Sequence, residues 1–403
     1  MVAGEVEPQA VTETAAEASA ATGIERKSLE QAWGFDDVAI VPGALTTNPD
    51  MVEPTFTLGE HSFALPIMAS AMDAVVDPAF AIEFSKRGGG AVLNLDGVQT
   101  RYEDPEAVLD EIASASLEDS TTILQRVYEQ PIDPDLIGRR VEQIKQGGGV
   151  AIVSSTPQNT KRFAPMAVEA GADFFVVQST VTTARHVSTS LKGLRLDELV
   201  EQISPIPVLV GNTVDFGATM ELMETGVQGI LVGVGPGAAC TSREVLGIGL
   251  PQVTATLDTA HARDVFFERT GRYVSIITDG GFRTGGDVAK AICAGADAVM
   301  IGSPLAGTEG APGRGYHWGM ATPHAELPRG VRVHIGQSHT LDQLLFGPTS
   351  RTDGTENLIG ALCTSMSTCG ATSIREFHDA RMVIAPSIKT EGKVYQIAQG
   401  SRA

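Results

Sequence analysis

Long apolar runs are missing from the 403 residues, and no basic start followed by a hydrophobic block marks the N-terminus. A membrane span is excluded, and the expectation is a soluble, intracellular, cytoplasmic protein. Basic charge is scarce: 29 Lys and Arg stand against 49 Asp and Glu, a formal net charge of −20 with no Lys/Arg cluster to offset it. That balance excludes a nucleic-acid surface, although a local nucleotide pocket remains open. Cysteine is rare as well. The four (Cys240, Cys293, Cys363, Cys369) show neither metal-ligand spacing nor a secreted-disulfide pattern, which predicts free thiols in a reducing compartment. No glycine-rich dinucleotide fingerprint lies at a strand-to-helix junction.

What is present is a core. With 42% hydrophobic and 19% charged residues, the chain can bury one large core. Residues 1–27 are rich in Ala, Glu and Thr without a large hydrophobic repeat and are expected to form a disordered tail. Eight short apolar runs follow: Pro66 to Ser70, Ala91 to Leu95, Gly149 to Ser155, Phe174 to Ser179, Pro207 to Asn212, Gly229 to Val234, Tyr273 to Gly280 and Ala298 to Ser303. Helical patterns alternate with them, among them Pro78 to Lys86, Pro134 to Gln146, Thr160 to Ala170, Val214 to Thr225, Thr256 to Arg269 and Gly285 to Ala294. Near-continuous apolar strands belong to a parallel sheet covered by helices, and eight such units predict an α/β fold, a single-domain (β/α)8 barrel over residues 28–403. Polar or small residues at the strand ends (Ser70, Asn94, Ser154, Gln178, Asn212, Asp279, Ser303) then gather at the C-terminal mouth.

The stretch Gly229 to Arg243, GILVGVGPGAACTSR, is the most informative. An apolar strand empties into glycines at every second position (Gly233, Gly235, Gly237), which let backbone approach a ligand or ion, and the loop delivers Cys240. A thiol at a strand's C-terminal end suits nucleophilic work, and equally a small buried packing role.

The flanks of that cysteine carry a resemblance. GPG-x-x-C-T-S-R, FDDVAIVPG (Phe35 to Gly43), SAMD (Ser70 to Asp73), GN (Gly211, Asn212), DGG (Asp279 to Gly281), GDVAKAICAGADAVMIGS (Gly286 to Ser303) and EGK (Glu391 to Lys393) resemble the IMP dehydrogenase and GMP reductase family, in the family's order. The resemblance covers roughly Gly34 to the C-terminus. It implies that Cys240 attacks C2 of a purine nucleotide, that hydride passes to NAD+, and that the covalent enzyme is hydrolysed, converting IMP to XMP in guanine nucleotide biosynthesis. Two other readings stay open: a GMP reductase working with NADPH, and a purine-nucleotide-binding protein with little turnover. Most members insert a pair of cystathionine-β-synthase-type (CBS) modules between the second helix and third strand. Here only Ser116 to Gly148 occupies that interval, so no such insertion is expected.

The resemblance also distributes roles. Asp279 is assigned to the ribose hydroxyls, Gly281, Gly302 and Ser303 to the phosphate, Ser70 and Met72 to substrate contact, and Asn212 to the neighbourhood of the reacting base. The family's phosphate-binding tyrosine aligns with His317 in HWGMA, beside Gly319 and Met320. A protonated His317 holding phosphate would make affinity fall as pH rises through about 6 to 8, whereas a His packed against the loop would not. Between Gly319 and Val331 the flap is short and lacks the family's Arg-Tyr pair, so Ser242 and Arg329, or His324, are the candidates for handling water. Arg243 either lowers the pKa of Cys240 or points to solvent. Gln178, Ser179 and Thr180 stand where the family meets its dinucleotide, with Gln178 in place of aspartate. Carbonyls of Gly235, Gly237 and Cys240, with Glu391 and Gly392 of a neighbouring subunit, resemble the family's K+ site, which implies a homo-oligomer, tetramer or octamer.

Overall fold

The computed structural model describes residues 28–187, 193–319 and 332–386. The chain divides into two compact units, residues 1–32 and residues 33–403. The second carries the secondary structure among the described residues. The expected tail, residues 1–27, lies outside them.

Eight parallel strands close on themselves: β1 (Ile67–Ala69), β2 (Gly90–Asn94), β3 (Ile152–Ser155), β4 (Phe174–Gln178), β5 (Val208–Thr213), β6 (Gly229–Val232), β7 (Ser275–Asp279) and β8 (Ala298–Ile301). Each pairs with its neighbour in sequence, and β8 pairs with β1, Ile301 opposite Ala69, so the sheet has no edge. The predicted (β/α)8 barrel is therefore what these runs build. They do not alternate because both faces are covered: Phe175, Val176 and Val177 are all fully buried, one face filling the barrel and the other packed under helices.

The helices longer than six residues among the described residues are α1 (Pro78–Lys86), α2 (Pro105–Ser114), α3 (Ser120–Glu129), α4 (Pro134–Gln146), α5 (Pro157–Glu169), α6 (Leu196–Gln202), α7 (Phe216–Glu224), α8 (Gln252–Thr270), α9 (Gly285–Cys293) and α10 (Leu358–Thr368). Proline opens α1, α2, α4 and α5, where its missing N–H costs nothing. Aspartate caps α1 and α7: Asp77 accepts from Phe80 N at 2.7 Å and Asp215 from Ala218 N at 2.9 Å. These signals displace two expected boundaries, since α5 starts at Pro157 and α8 at Gln252, directly after Pro251. Strand β3 is shorter than expected because Ala151 N donates to the Asp173 carboxylate (2.7 Å) ahead of it. Helices α2, α3, α6 and α10 add to the helical patterns named from the sequence.

A hairpin, Phe56–Leu58 with His61–Phe63, plugs the N-terminal end of the barrel. Its Leu58 and Phe63 are buried and press on Gly229 and Gly90, the first residues of β6 and β2. Among the described residues the C-terminal end is left open. Between β2 and β3 the chain forms α2, α3 and α4, with no strand among the described residues. Helices α2 and α3 make a small second core of their own, in which Leu109, Ile112, Leu124, Val127 and Tyr128 surround Ala74, Val98 and Trp318.

Candidate active site

At the open end the strand termini enclose a cleft of about 550 Å³, within the range of small-molecule sites. Ser70 and Met72 enter it after β1, Gln178, Ser179 and Thr180 at β4, Asn212 from β5. Cys240 and Ser242 arrive on the loop after β6, Asp279 and Gly281 at β7, Gly302 and Ser303 after β8. Gly235 and Gly237 line the same loop, and His317 and Gly319 close one side. Of the remaining expected residues, Met320, His324, Arg329, Glu391 and Gly392 lie outside the described residues.

The cysteine loop holds its shape through glycine. Gly235 has φ +81°, and a Cβ there would meet Arg243 Cγ at 2.5 Å; Gly233 has φ +147°, and a Cβ would meet the Asp279 carbonyl at 2.4 Å. Cys240 N donates to the Gly237 carbonyl at 3.0 Å, turning the thiol toward the cleft, and Sγ donates to Ser242 Oγ at 3.3 Å. Ser242 is buried and opens a one-turn helix, Ser242–Leu246, so its hydroxyl is held in place. Arg243 turns the other way: its stem packs against Gly235 and Gly249, and its guanidinium donates to the Leu250 carbonyl at 2.9 Å. It braces the loop and makes no contact with the thiol.

Asp279 forms the floor. Its Oδ2 accepts from Asn212 Nδ2 at 2.8 Å and from Gln178 Nε2 at 3.0 Å, while Gln178 Nε2 also reaches Asn212 Oδ1 at 3.1 Å. Crowding by protein on every side but the cleft pushes the carboxyl up to about 6, and the two amide donors oppose that rise. Gln252, the first residue of α8, is a site residue that sequence reading missed. Its buried carboxamide donates to the carbonyls of Asp279 (2.8 Å), Gly280 (3.2 Å) and Val232 (3.2 Å), fixing the DGG turn beneath the cysteine loop. A glutamine one residue beyond a proline at a helix start was the available signal.

At the end where phosphate contact is expected, Gly302 lies against Met72 and Ser70, where a Cβ would meet Met72 Sδ at 3.0 Å. Ser303 Oγ and His317 Nε2 are 3.0 Å apart. His317 is 1% exposed, its Nδ1 has no hydrogen-bond partner among the described residues, and burial pulls its pKa down to about 4. In the ligand-free protein desolvation disfavours the cation, which opposes the expectation of a protonated His317 between pH 6 and 8. It packs against the loop and orients Ser303.

A family model described as the IMP dehydrogenase / GMP reductase domain matches residues 32–322. The chain belongs to the IMP dehydrogenase / GMP reductase family. It is similar to an uncharacterized oxidoreductase of Mycolicibacterium smegmatis, 37% identical over 367 residues, covering 89% of this chain and 98% of the relative. It is 32% identical to an inosine-5′-monophosphate dehydrogenase of Cryptosporidium parvum, over 71% of each chain. A solved IMP dehydrogenase/GMP reductase-like protein from Corynebacterium glutamicum superimposes with TM-score 0.84 at 35% identity, covering 90% of this chain and 96% of that one. The chain is thus an oxidoreductase of this family, with Cys240 at the barrel mouth.

Of Gln178, Ser179 and Thr180, the residues expected to meet a dinucleotide, two are already engaged. The Gln178 carboxamide faces inward to Asp279. Ser179 Oγ donates to the Val181 carbonyl at 2.8 Å, and Thr182 Oγ1, 3.0 Å away, donates to the Gly211 carbonyl at 2.6 Å. The loop carbonyls of Gly235, Gly237 and Cys240 are neutral oxygens, the donor type a hard monovalent cation takes, with Gly237 O also serving Cys240 N.

Proposed function

We propose that this chain oxidises IMP to XMP with NAD+ through a covalent bond from Cys240 Sγ to C2 of the purine. The observation that carries the reading is that the Cys240 thiol and the Asp279 carboxylate open into one cleft, at the mouth of a barrel plugged at its other end. Family membership supports it, because the oxidoreductase chemistry needs both a nucleophile and a nucleotide anchor.

The groups divide the work. Asp279, as carboxylate, accepts hydrogen bonds from both ribose hydroxyls, and Asn212 and Gln178 keep it aimed. Gly281, Gly302 and Ser303 offer amides and a hydroxyl to the phosphate. Cys240 loses its proton and the thiolate adds to C2. NAD+, when bound beside the purine near Gln178, Ser179 and Thr180, supplies the hydride acceptor. Water then adds at C2, the C–S bond breaks, and Cys240 leaves as thiolate. The balance is IMP, NAD+ and water to XMP, NADH and a proton. Ser242 Oγ, 3.3 Å from Sγ, positions that water; Arg329, or His324, activates it. K+ on the carbonyls of Gly235, Gly237 and Cys240 with the partner subunit's Glu391 and Gly392, in a homotetramer or octamer, belongs to the same proposal.

The test is direct. Purified protein with IMP and NAD+ is followed at the NADH absorbance, and steady production is expected. One burst equal to the enzyme present marks a nucleotide-binding protein instead. Turnover of GMP with NADPH marks a reductase.

A further inference from the structure

Two loops that line the cleft are tied together from outside the barrel. Met72 is followed by Asp73, which is fully buried, and His317 is followed by Trp318, also fully buried. Between them stands Tyr128, on helix α3. Trp318 Nε1 donates to Tyr128 Oη at 2.8 Å, and Tyr128 Oη donates to Asp73 Oδ2 at 2.5 Å. The same Oδ2 accepts from Val98 N at 2.9 Å. The indole N–H, the phenol and Asp73 Oδ2 thus each have a partner in this chain.

The attachment does not rest on that chain alone. Tyr102 Oη donates to the Val127 carbonyl at 2.9 Å, and the Arg314 guanidinium bridges to Glu106 and Asp110 of α2. Arg332 donates to the C-terminal carbonyls of α2, at Ala113 (3.2 Å) and Ala115 (2.8 Å) as well as Ile112, and lies over the Tyr316 ring at 4.3 Å. Tyr316 and His317 pair with Val333 and His334, so α2 and α3 grip the strand pair that carries His317.

We propose that Tyr128 is a positioning residue for the nucleotide site, its hydroxyl holding the Met72 loop and the His317 segment in register. This rests on the reading of the cleft as a purine-nucleotide site. Met72 and His317 meet the cleft from β1 and from the far side of Ser303, so a shift between them changes the width of the slot for the nucleotide. The hydroxyl sits outside the cleft and touches no substrate. Helices that fill the interval between β2 and β3 thereby act on the site through two hydrogen bonds.

Tyr128→Phe removes the hydroxyl and keeps the ring. Trp33 and Trp318 are the two tryptophans of the chain, so a Trp33→Phe background leaves Trp318 as its one fluorophore. IMP titrated against that protein is expected to change Trp318 emission, and Tyr128→Phe is expected to weaken IMP about five- to tenfold, the scale of one or two buried hydrogen bonds. Trp318→Phe, followed by calorimetry, is expected to give the same loss, and the double variant little more than either single one. Unchanged affinity in Tyr128→Phe alongside a lowered melting point overturns the proposal, as do two losses that multiply. Amide exchange in the nucleotide-free protein separates this from the site assignment. Faster exchange in both residues 70–76 and 316–319 of Tyr128→Phe supports the coupling even where IMP does not bind, an outcome that would instead reject the nucleotide reading. Unchanged exchange in both segments overturns the coupling itself.

Discussion

Gln178 Nε2 and Asp279 Oδ2 lie 3.0 Å apart, joining the end of β4 to the end of β7 across the barrel mouth. A carboxylate at position 178 would repel Asp279 there; a carboxamide donates to it. Gln178, which stands where the resemblance expects aspartate, is thus tied to the proposed ribose anchor and does its visible work on Asp279.

That relationship predicts how nucleotide binding responds to acid. Asp279 has its pKa raised to about 6 by burial. In the proposed complex the ionised form accepts from two ribose hydroxyls, so IMP affinity should fall as pH drops through about 6. Gln178→Leu removes one donor to the anion and should move that midpoint upward. The phosphate of IMP also titrates near 6, and Asp279→Asn separates the two, since it should lose the carboxyl's share of the dependence while keeping the ligand's. Calorimetric titration from pH 5 to 8 measures all three proteins, and identical profiles for wild type and Asp279→Asn reject the assignment. The sign for folding is opposite. The native state holds this proton more tightly than the unfolded chain, so the carboxyl's contribution to stability is greatest below the unfolded value near 4 and declines as pH rises to about 6.

His317 gives a prediction of the other sign. Its folded pKa is depressed to about 4 from 6.5. Its contribution to stability is fully present above about 6.5 and is lost as pH falls toward 4, because the unfolded state takes the proton that the native state refuses. His317→Gln, which keeps a polar group facing Ser303, should lose less melting temperature than wild type between pH 7 and pH 5. The ring's proton resonances should show no titration between pH 6 and 8. A midpoint inside that interval would restore the cationic phosphate contact.

The chemistry is checked at sulfur. With IMP and NAD+ together, mass spectrometry of acid-quenched protein should find the purine nucleotide on the peptide carrying Cys240. Cys240→Ala should abolish turnover while IMP still binds within about tenfold of wild type, since the ribose and phosphate contacts remain. Ser242→Ala should still form the adduct and release it slowly, raising its steady-state amount. Full turnover in Cys240→Ala would remove covalent catalysis from the account.

Much of this site was legible in the chain because each part announces itself locally. Eight apolar runs such as FFVV at Phe174–Val177 read as doubly covered strands, and the seven polar residues expected at strand ends all line the cleft. What stayed hidden depends on contacts between distant residues. The burial that neutralises His317 comes from packing around it, which no local pattern encodes. Gln252, Tyr128 and Trp318 act through partners 20 or more residues away, and each reads locally as an ordinary helix or loop residue. Arg243 is the same lesson in reverse. Three residues from Cys240 it reads as a neighbour of the thiol, yet the turn at Gly235 sends it beneath the loop.

That last placement yields the sharpest steric prediction. Gly235 has φ +81°, and an added Cβ would stand 2.5 Å from Arg243 Cγ and 2.9 Å from Nε. Gly235→Ala therefore meets two obstacles, a disfavoured backbone region and an occupied space, and it should reduce turnover strongly while lowering the melting temperature only slightly, because the loop lies outside the barrel core. Arg243→Ala clears the space, leaves the backbone penalty of about 1 kcal/mol or more, and unties the Leu250 carbonyl. Combined with Gly235→Ala it should recover part of the lost turnover. If Arg243 instead acted on the thiol, Arg243→Ala alone would shift the pH midpoint of Cys240 alkylation and the double variant would recover nothing, so alkylation profiles across the three proteins distinguish a brace from an electrostatic partner.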